Sequence, residues 1–229
     1  PQAIAAADEL LAESSFRASM TSADEVRYLK GLALELAGRK QQAMDTYAAI
    51  GNSYGSYFGG TASERLAKNG AKFHVPTQPS AKEITESPVM FRVELLRESK
   101  KRNIDPRFLL AIMKQESVFK SGAKSPAGAR GLLQLVYDTA IKYKDAAGYP
   151  DLQPDELYKP SVNIAVGAEY VAALKEEFGG LYEAIAASYN GGEDNAARWL
   201  NRSKPKDPGV FASEVGFAET KSYVFKVMN

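Results

Sequence analysis

The 229-residue chain has no cysteine and a single histidine, His74. Without cysteine there is no disulfide and no thiolate metal site, and the redox compartment stays open. One histidine excludes a His-rich metal centre, and its place in a predicted linker, 73–79, argues against an imidazole-based triad. No metal and no cofactor are expected. An excess of one charge is also missing: Lys plus Arg total 29 against 28 for Asp plus Glu. That balance argues against a nucleic-acid surface, which would show a basic bias. No apolar run approaches the ~20 residues that cross a bilayer, so no transmembrane segment is expected. A signal peptide is absent too, but the chain opens Pro1-Gln2 without Met. This reads as a processed protein or an excised fragment, so the missing signal says nothing about compartment.

What is present is helical. Val26, Leu29, Leu32, Ala33 and Leu36 keep helical spacing, Gly38 ends that helix, and 41–50 starts the next. This pair looks like one helical hairpin of the tetratricopeptide kind, and one copy makes no array. Pro76, Pro79 and Pro88 punctuate the stretch 69–88, which places a boundary there. The predicted units are a repeat-like helical segment over 1–78 and a second domain over 79–229. Such a breaker-rich stretch predicts few contacts across the boundary, so that the part from about Thr85 would fold without residues 1–70. Beyond it, helices are predicted at 89–102, 106–119, 131–143, 161–178, 181–190, 194–201 and 219–228. No segment alternates as a strand would, and the expected class is all-α.

Within the second helix, Asp105 is placed to cap and Pro106 suits the first turn, where no amide donor is needed. At ~100° per residue, Leu109, Ile112 and Met113 share one side, and Glu116 projects within the same arc. Apolar stripes rarely carry an ionisable group without a partner or a task. A half-buried carboxyl has a raised pKa, which suits a general acid near neutral pH. A glutamate at the stripe's edge, reaching water or paired with Lys or Arg, fits the same pattern. Downstream, Gln134 interrupts the apolar run 131–136, and a buried amide needs partners for both its ends. Tyr189 and Asn190 stand where a helix meets Gly191-Gly192; Asn190 reads equally as a helix terminator.

Taken in order, Glu116-Ser117, Ser125-Pro126-Ala127-Gly128-Ala129-Arg130-Gly131-Leu132-Leu133-Gln134, Ser188-Tyr189-Asn190-Gly191-Gly192 and Glu219-Thr220-Lys221-Ser222-Tyr223-Val224 form four spaced blocks. Over about 88–227 the chain thereby resembles the soluble lytic transglycosylases, enzymes of the bacterial cell wall with a lysozyme-like catalytic domain. It departs from them at Leu133, Val136, Ser188, Gly216 and Lys221, and Val136 bears on substrate preference. The resemblance implies that Glu116 is the catalytic acid and then base. It implies that Ser125, Gln134, Tyr189 and Asn190 shape the sugar cleft, and that Glu219 and Tyr223 close it from the C-terminal side. Asn163 and Gly167 match as structural positions.

The implied reaction cleaves the bond between N-acetylmuramic acid and N-acetylglucosamine with formation of a 1,6-anhydro sugar. The implied partner is the peptidoglycan glycan strand, and the implied home is the periplasm or cell envelope of a bacterium. Two other readings share the blocks: a goose-type-lysozyme-like hydrolase that admits water, and a non-catalytic glycan-binding protein. In the latter, the N-terminal helices would dock proteins of the cell-wall machinery.

Overall fold

The computed structural model describes residues 1–13, 15–50, 55–70 and 90–229. The stretch 71–89, with His74 and the boundary expected at 78/79, lies outside the described residues. Those described form twelve α-helices and one 3-10 turn, with no strand among them. None of these helices is long and apolar enough to cross a membrane.

Four helices come first: α1 (Gln2–Ala12), α2 (Ala23–Leu36), α3 (Lys40–Ala48) and α4 (Tyr57–Lys68). Ser22 and Ser56 cap α2 and α4 by accepting the amides of Glu25 and Gly59, which satisfies donors the helix itself leaves unused. The predicted hairpin is α2 against α3. It closes tightly because a Cβ at Gly31 would stand 2.4 Å from the Tyr47 ring.

Two further helices, α5 (Arg92–Arg102) and α6 (Pro106–Ser117), follow the undescribed stretch. Asp105 accepts the Arg107 amide at the start of α6, with Pro106 in the first turn, as the sequence predicts. The rest are α7 (Tyr137–Ala147), a 3-10 turn (Pro154–Tyr158), α8 (Pro160–Glu177), α9 (Tyr182–Gly191), α10 (Glu193–Arg202), α11 (Pro208–Glu214) and α12 (Ala218–Met228).

Two expectations about elements fail. The helix predicted over 131–143 begins only at Tyr137. Residues 131–136 are a tight loop in which Arg130 and Leu135 exchange both backbone hydrogen bonds, and Gly131 and Gln134 have φ of 78° and 45°. Left-handed backbone at two positions cannot belong to a right-handed helix. The seven-residue helix α11 was not expected at all.

The larger core gathers α6, the 131–135 loop, α8 and α9 around Leu109, Ile112, Met113, Leu132, Leu133, Ile164 and Val166. A second core lies under the first four helices, around Tyr28, Tyr47, Phe58 and Leu66. The expectation of few contacts between the units is overturned. Ala212 of α11 belongs to the N-terminal core, and Phe225 and Met228 of α12 pack against both. The Tyr28 hydroxyl donates to Asp207 at 3.1 Å, and Arg65 pairs with both Asp207 and Glu35. Tyr57 donates to Glu183 at 3.0 Å, and Lys221 meets Glu25 at 2.8 Å. Punctuation in a chain marks where it turns, not whether the pieces on either side pack together.

Candidate active site

Glu116 sits one residue from the end of α6, half-buried. The three side chains that anchor its helix face, Leu109, Ile112 and Met113, are fully enclosed, so the backbone beneath the carboxyl is rigid. The helix end is pinned as well. The Ser117 hydroxyl lies 2.8 Å from the Leu132 carbonyl and 3.1 Å from that of Met113, tying α6 to the 131–135 loop.

The Glu116 carboxyl receives one hydrogen bond, from the Tyr223 hydroxyl of α12 to Oε1 at 2.6 Å. Burial pushes its pKa above the ordinary carboxylate range. The Tyr223 bond, which favours the anion, opposes that rise without cancelling it. Among the described residues no Lys or Arg pairs with it, and no second carboxylate perturbs it. This removes the reading of Glu116 as an ion-paired surface residue.

A second tyrosine, Tyr189, also feels its charge. Burial first, and the Glu116 charge second, hold the hydroxyls of Tyr189 and Tyr223 well above the usual phenol range, so both stay protonated donors. Tyr189 donates to the Leu133 carbonyl at 2.6 Å, joining α9 to the same loop. Its ring lies 5.3 Å from that of Tyr170 of α8, which in turn lies 5.3 Å from Tyr143 of α7.

The loop tied to α6 through Ser117 is built by the residues the sequence marks. Ser125 accepts the Ala129 amide at its hydroxyl, 3.0 Å, and pairs with Ala129 again through the backbone. Gln134 spends its amide hydrogens on the carbonyls of Gly131 and Ala123, at 2.9 and 3.2 Å. It is half-buried, so its carbonyl is not locked in the core. Asn163 clamps the loop from α8: Oδ1 accepts the Leu133 amide, and Nδ2 donates to the carbonyls of Arg130 and Leu157, all within 2.9 Å. A Cβ at Gly131 would stand 2.2 Å from the Leu157 carbonyl, so only glycine fits there, and one at Gly167 would stand 2.3 Å from the end of the Leu133 side chain, which would have to shift.

Asn190 is not the residue that ends its helix. The helix runs through Gly191, and Gly192, at φ 88°, makes the turn. Asn190 instead accepts the Thr220 hydroxyl at 2.7 Å, which fixes α9 to the first turn of α12. Glu219 is exposed in that same turn. Thr220, Tyr223, Val224 and Val227 form the inward stripe of α12, and Glu219 stands off it. The structure thus gathers Tyr189 and Tyr223 around the Glu116 carboxyl and places Ser125 and Gln134 in the 118–136 loop tied to the end of α6. Asn190 joins α9 to α12, and Glu219 is exposed in the first turn of α12. Thr220 and Tyr170 escape the sequence reading; the three- and four-residue spacing along α12 is the signal that marks Thr220.

Comparison with known proteins follows this geometry. The sequence model described as "Transglycosylase SLT domain" matches residues 95–211, a span that includes Glu116 but ends before Tyr223. The soluble lytic murein transglycosylase of Salmonella typhimurium is 31% identical over 143 residues, 62% of this chain and 22% of that protein. Its Escherichia coli counterpart is 33% identical over 131 residues, 56% and 20% of the respective chains. This chain therefore spans about a fifth of the length of these relatives. Among solved structures, an inactive mutant of the lytic transglycosylase Slt from Pseudomonas aeruginosa superposes with a TM-score of 0.76 at 21% identity. That match covers 97% of this chain and 48% of the other.

Proposed function

The chain belongs to the Transglycosylase SLT domain family, and on that premise we propose that it is a peptidoglycan lytic transglycosylase working in the bacterial periplasm or cell envelope. The observation that carries the reading is the isolation of Glu116 among the described residues: half-buried, held above the ordinary carboxylate range, bonded to a neutral phenol, and perturbed by no second carboxylate there. Most glycosidases divide their work between two carboxylates. A single one suffices when the substrate supplies its own nucleophile.

Glu116 protonates the oxygen linking N-acetylmuramic acid to N-acetylglucosamine, and the bond from that oxygen to C1 breaks. The substrate's N-acetyl group stabilises the positive C1. Glu116, now a carboxylate, takes the proton from the muramic C6 hydroxyl as its oxygen closes on C1. The proton count balances and no water is consumed. Tyr223 steadies the anion midway, because its hydrogen bond favours that form. Gln134, Ser125, Tyr189 and Asn190 shape the cleft, with Glu219 at its rim. The catalytic domain is assigned to 79–229, preceded by the helical segment 1–78, which offers proteins of the cell-wall machinery a docking surface. The relatives' names support murein as substrate.

Mass spectrometry of digested sacculi tests the reading. The expected muropeptides end in 1,6-anhydro sugar, lighter by one water than hydrolysis products. Reducing-end products alone would replace the lyase by a hydrolase. No released product at all would favour a binding protein.

A further inference from the structure

Lys221 and Tyr223 are two residues apart on α12, about 200° around the helix axis, so their side chains leave from opposite faces. In front, the Tyr223 hydroxyl meets Glu116 at 2.6 Å. Behind, the Lys221 ammonium meets the Glu25 carboxylate of α2 at 2.8 Å, with side chains only 4% and 2% exposed. The helix is thus held between the carboxyl assigned to the chemistry and an ion pair to the N-terminal helices. Phe225 of α12 reinforces the rear contact, its ring stacked on Tyr57 at 5.0 Å and 15°.

So deeply buried an ion pair adds little net stability, because desolvating two charges offsets most of their attraction. What it adds is direction. Apolar contacts tolerate a helix that slides or rotates by a fraction of a turn. An ammonium meeting one carboxylate oxygen does not, and ~1 Å at Tyr223 separates a hydrogen bond from none.

We propose that Glu25 is a positioning residue for the reaction: through Lys221 it sets the rotation and height of α12, and with them the Tyr223 hydroxyl on Glu116. The proposal rests on the reading of Glu116 as the acid. The N-terminal helices then belong to the working enzyme and are more than a detachable docking arm.

A mutant cycle on the full chain tests it, with kcat and KM measured on solubilised glycan strands for Glu25→Gln, Tyr223→Phe and both together. Glu25→Gln lowers kcat roughly tenfold or more, the worth of a hydrogen bond to a charged group, with KM nearly unchanged. Added to Tyr223→Phe, it lowers kcat no further, within about twofold. The pH profile gives a second readout. Glu116 faces Tyr223 of α12 and Tyr189 of α9, with Tyr170 of α8 behind. Losing the Tyr223 bond raises the Glu116 pKa, so the alkaline limb moves to higher pH in both single variants alike. Losses that multiply across the cycle, or a limb that stays in place in Glu25→Gln, would overturn the proposal.

Should Glu25→Gln fail to fold with an unpaired ammonium inside, Glu25→Leu combined with Lys221→Met takes its place in the cycle, since removing the whole pair is about neutral for stability. Glu116→Gln serves as the control. If it stays active, the reading of Glu116 is wrong; if it is dead while the cycle is multiplicative, only the role of Glu25 is lost.

Discussion

Two glutamates among the described residues are met by a tyrosine hydroxyl and held above the ordinary carboxylate range by burial: Glu116 near the end of α6 and Glu183 at the seam between the N-terminal helices and the rest. The bonds are alike, 2.6 Å from Tyr223 and 3.0 Å from Tyr57. Access separates them. Glu183 is 6% exposed and closed in by α4, whereas Glu116 is only partly buried. The remaining deeply buried carboxylates at the seam, Glu25 and Asp207, are met by a cation. A raised pKa therefore marks a buried carboxyl, and an opening to substrate turns it into a candidate acid.

The comparison breaks most visibly at Glu116. Glu116→Gln keeps the shape and loses the proton, and turnover of sacculi should fall by roughly 10²–10⁴-fold or more, since one residue serves both steps. Retention of a tenth of the activity would move the acid elsewhere. Tyr223→Phe comes next: roughly a tenfold or larger fall in kcat/KM, with the alkaline limb shifted upward. An unchanged limb would mean that the Tyr223 bond is absent in solution.

Asn190→Ala leaves the Thr220 hydroxyl buried without its acceptor, at a cost of about 1–3 kcal/mol. Tm should drop by roughly 2–4 °C per kcal/mol, with kcat/KM falling a few-fold as α9 and α12 loosen. Unchanged melting would remove Asn190 from the frame.

The smallest effect is expected at Glu183. Glu183→Gln should keep activity within about twofold, and its melting should change with pH in the same sense as that of Glu116→Gln. Each wild-type carboxyl binds its proton more tightly folded than unfolded, so its contribution is full below the ordinary carboxylate range and is lost as pH rises through the raised value. Both amide variants should therefore gain Tm relative to wild type at pH 8 and not at pH 4. If only one does, the two sites are not electrostatic twins.

Much of the site was legible in the sequence because its signals are local. Asp105 and Pro106 announce α6, and Glu116 shows as an acid within its stripe. What the sequence hid depends on distant partners. Nothing in 131–136 says that Gly131 and Gln134 take left-handed backbone, because Asn163 and the Leu157 carbonyl enforce it from elsewhere. Asn190 looked like a terminator, as Asn before Gly often is, yet its side chain is committed to Thr220 on another helix. Glu25 and Lys221 stand 196 positions apart, and the prolines between them hide that the units share an interface. Helix α11 is only seven residues long, too short for periodicity to declare itself.

The central claim is that Glu116 holds its proton above the ordinary carboxylate range and does so at a site open to substrate. A ¹³C NMR titration of glutamate-labelled full chain, with Glu116→Gln and Glu183→Gln to assign the two resonances, measures this directly. The account predicts that both carboxyls titrate above 4.5, the usual value of a glutamate side chain, and that added glycan strands shift the Glu116 resonance and leave Glu183 in place. A Glu116 carboxyl that titrates at or below that value, or that ignores the glycan, would contradict it.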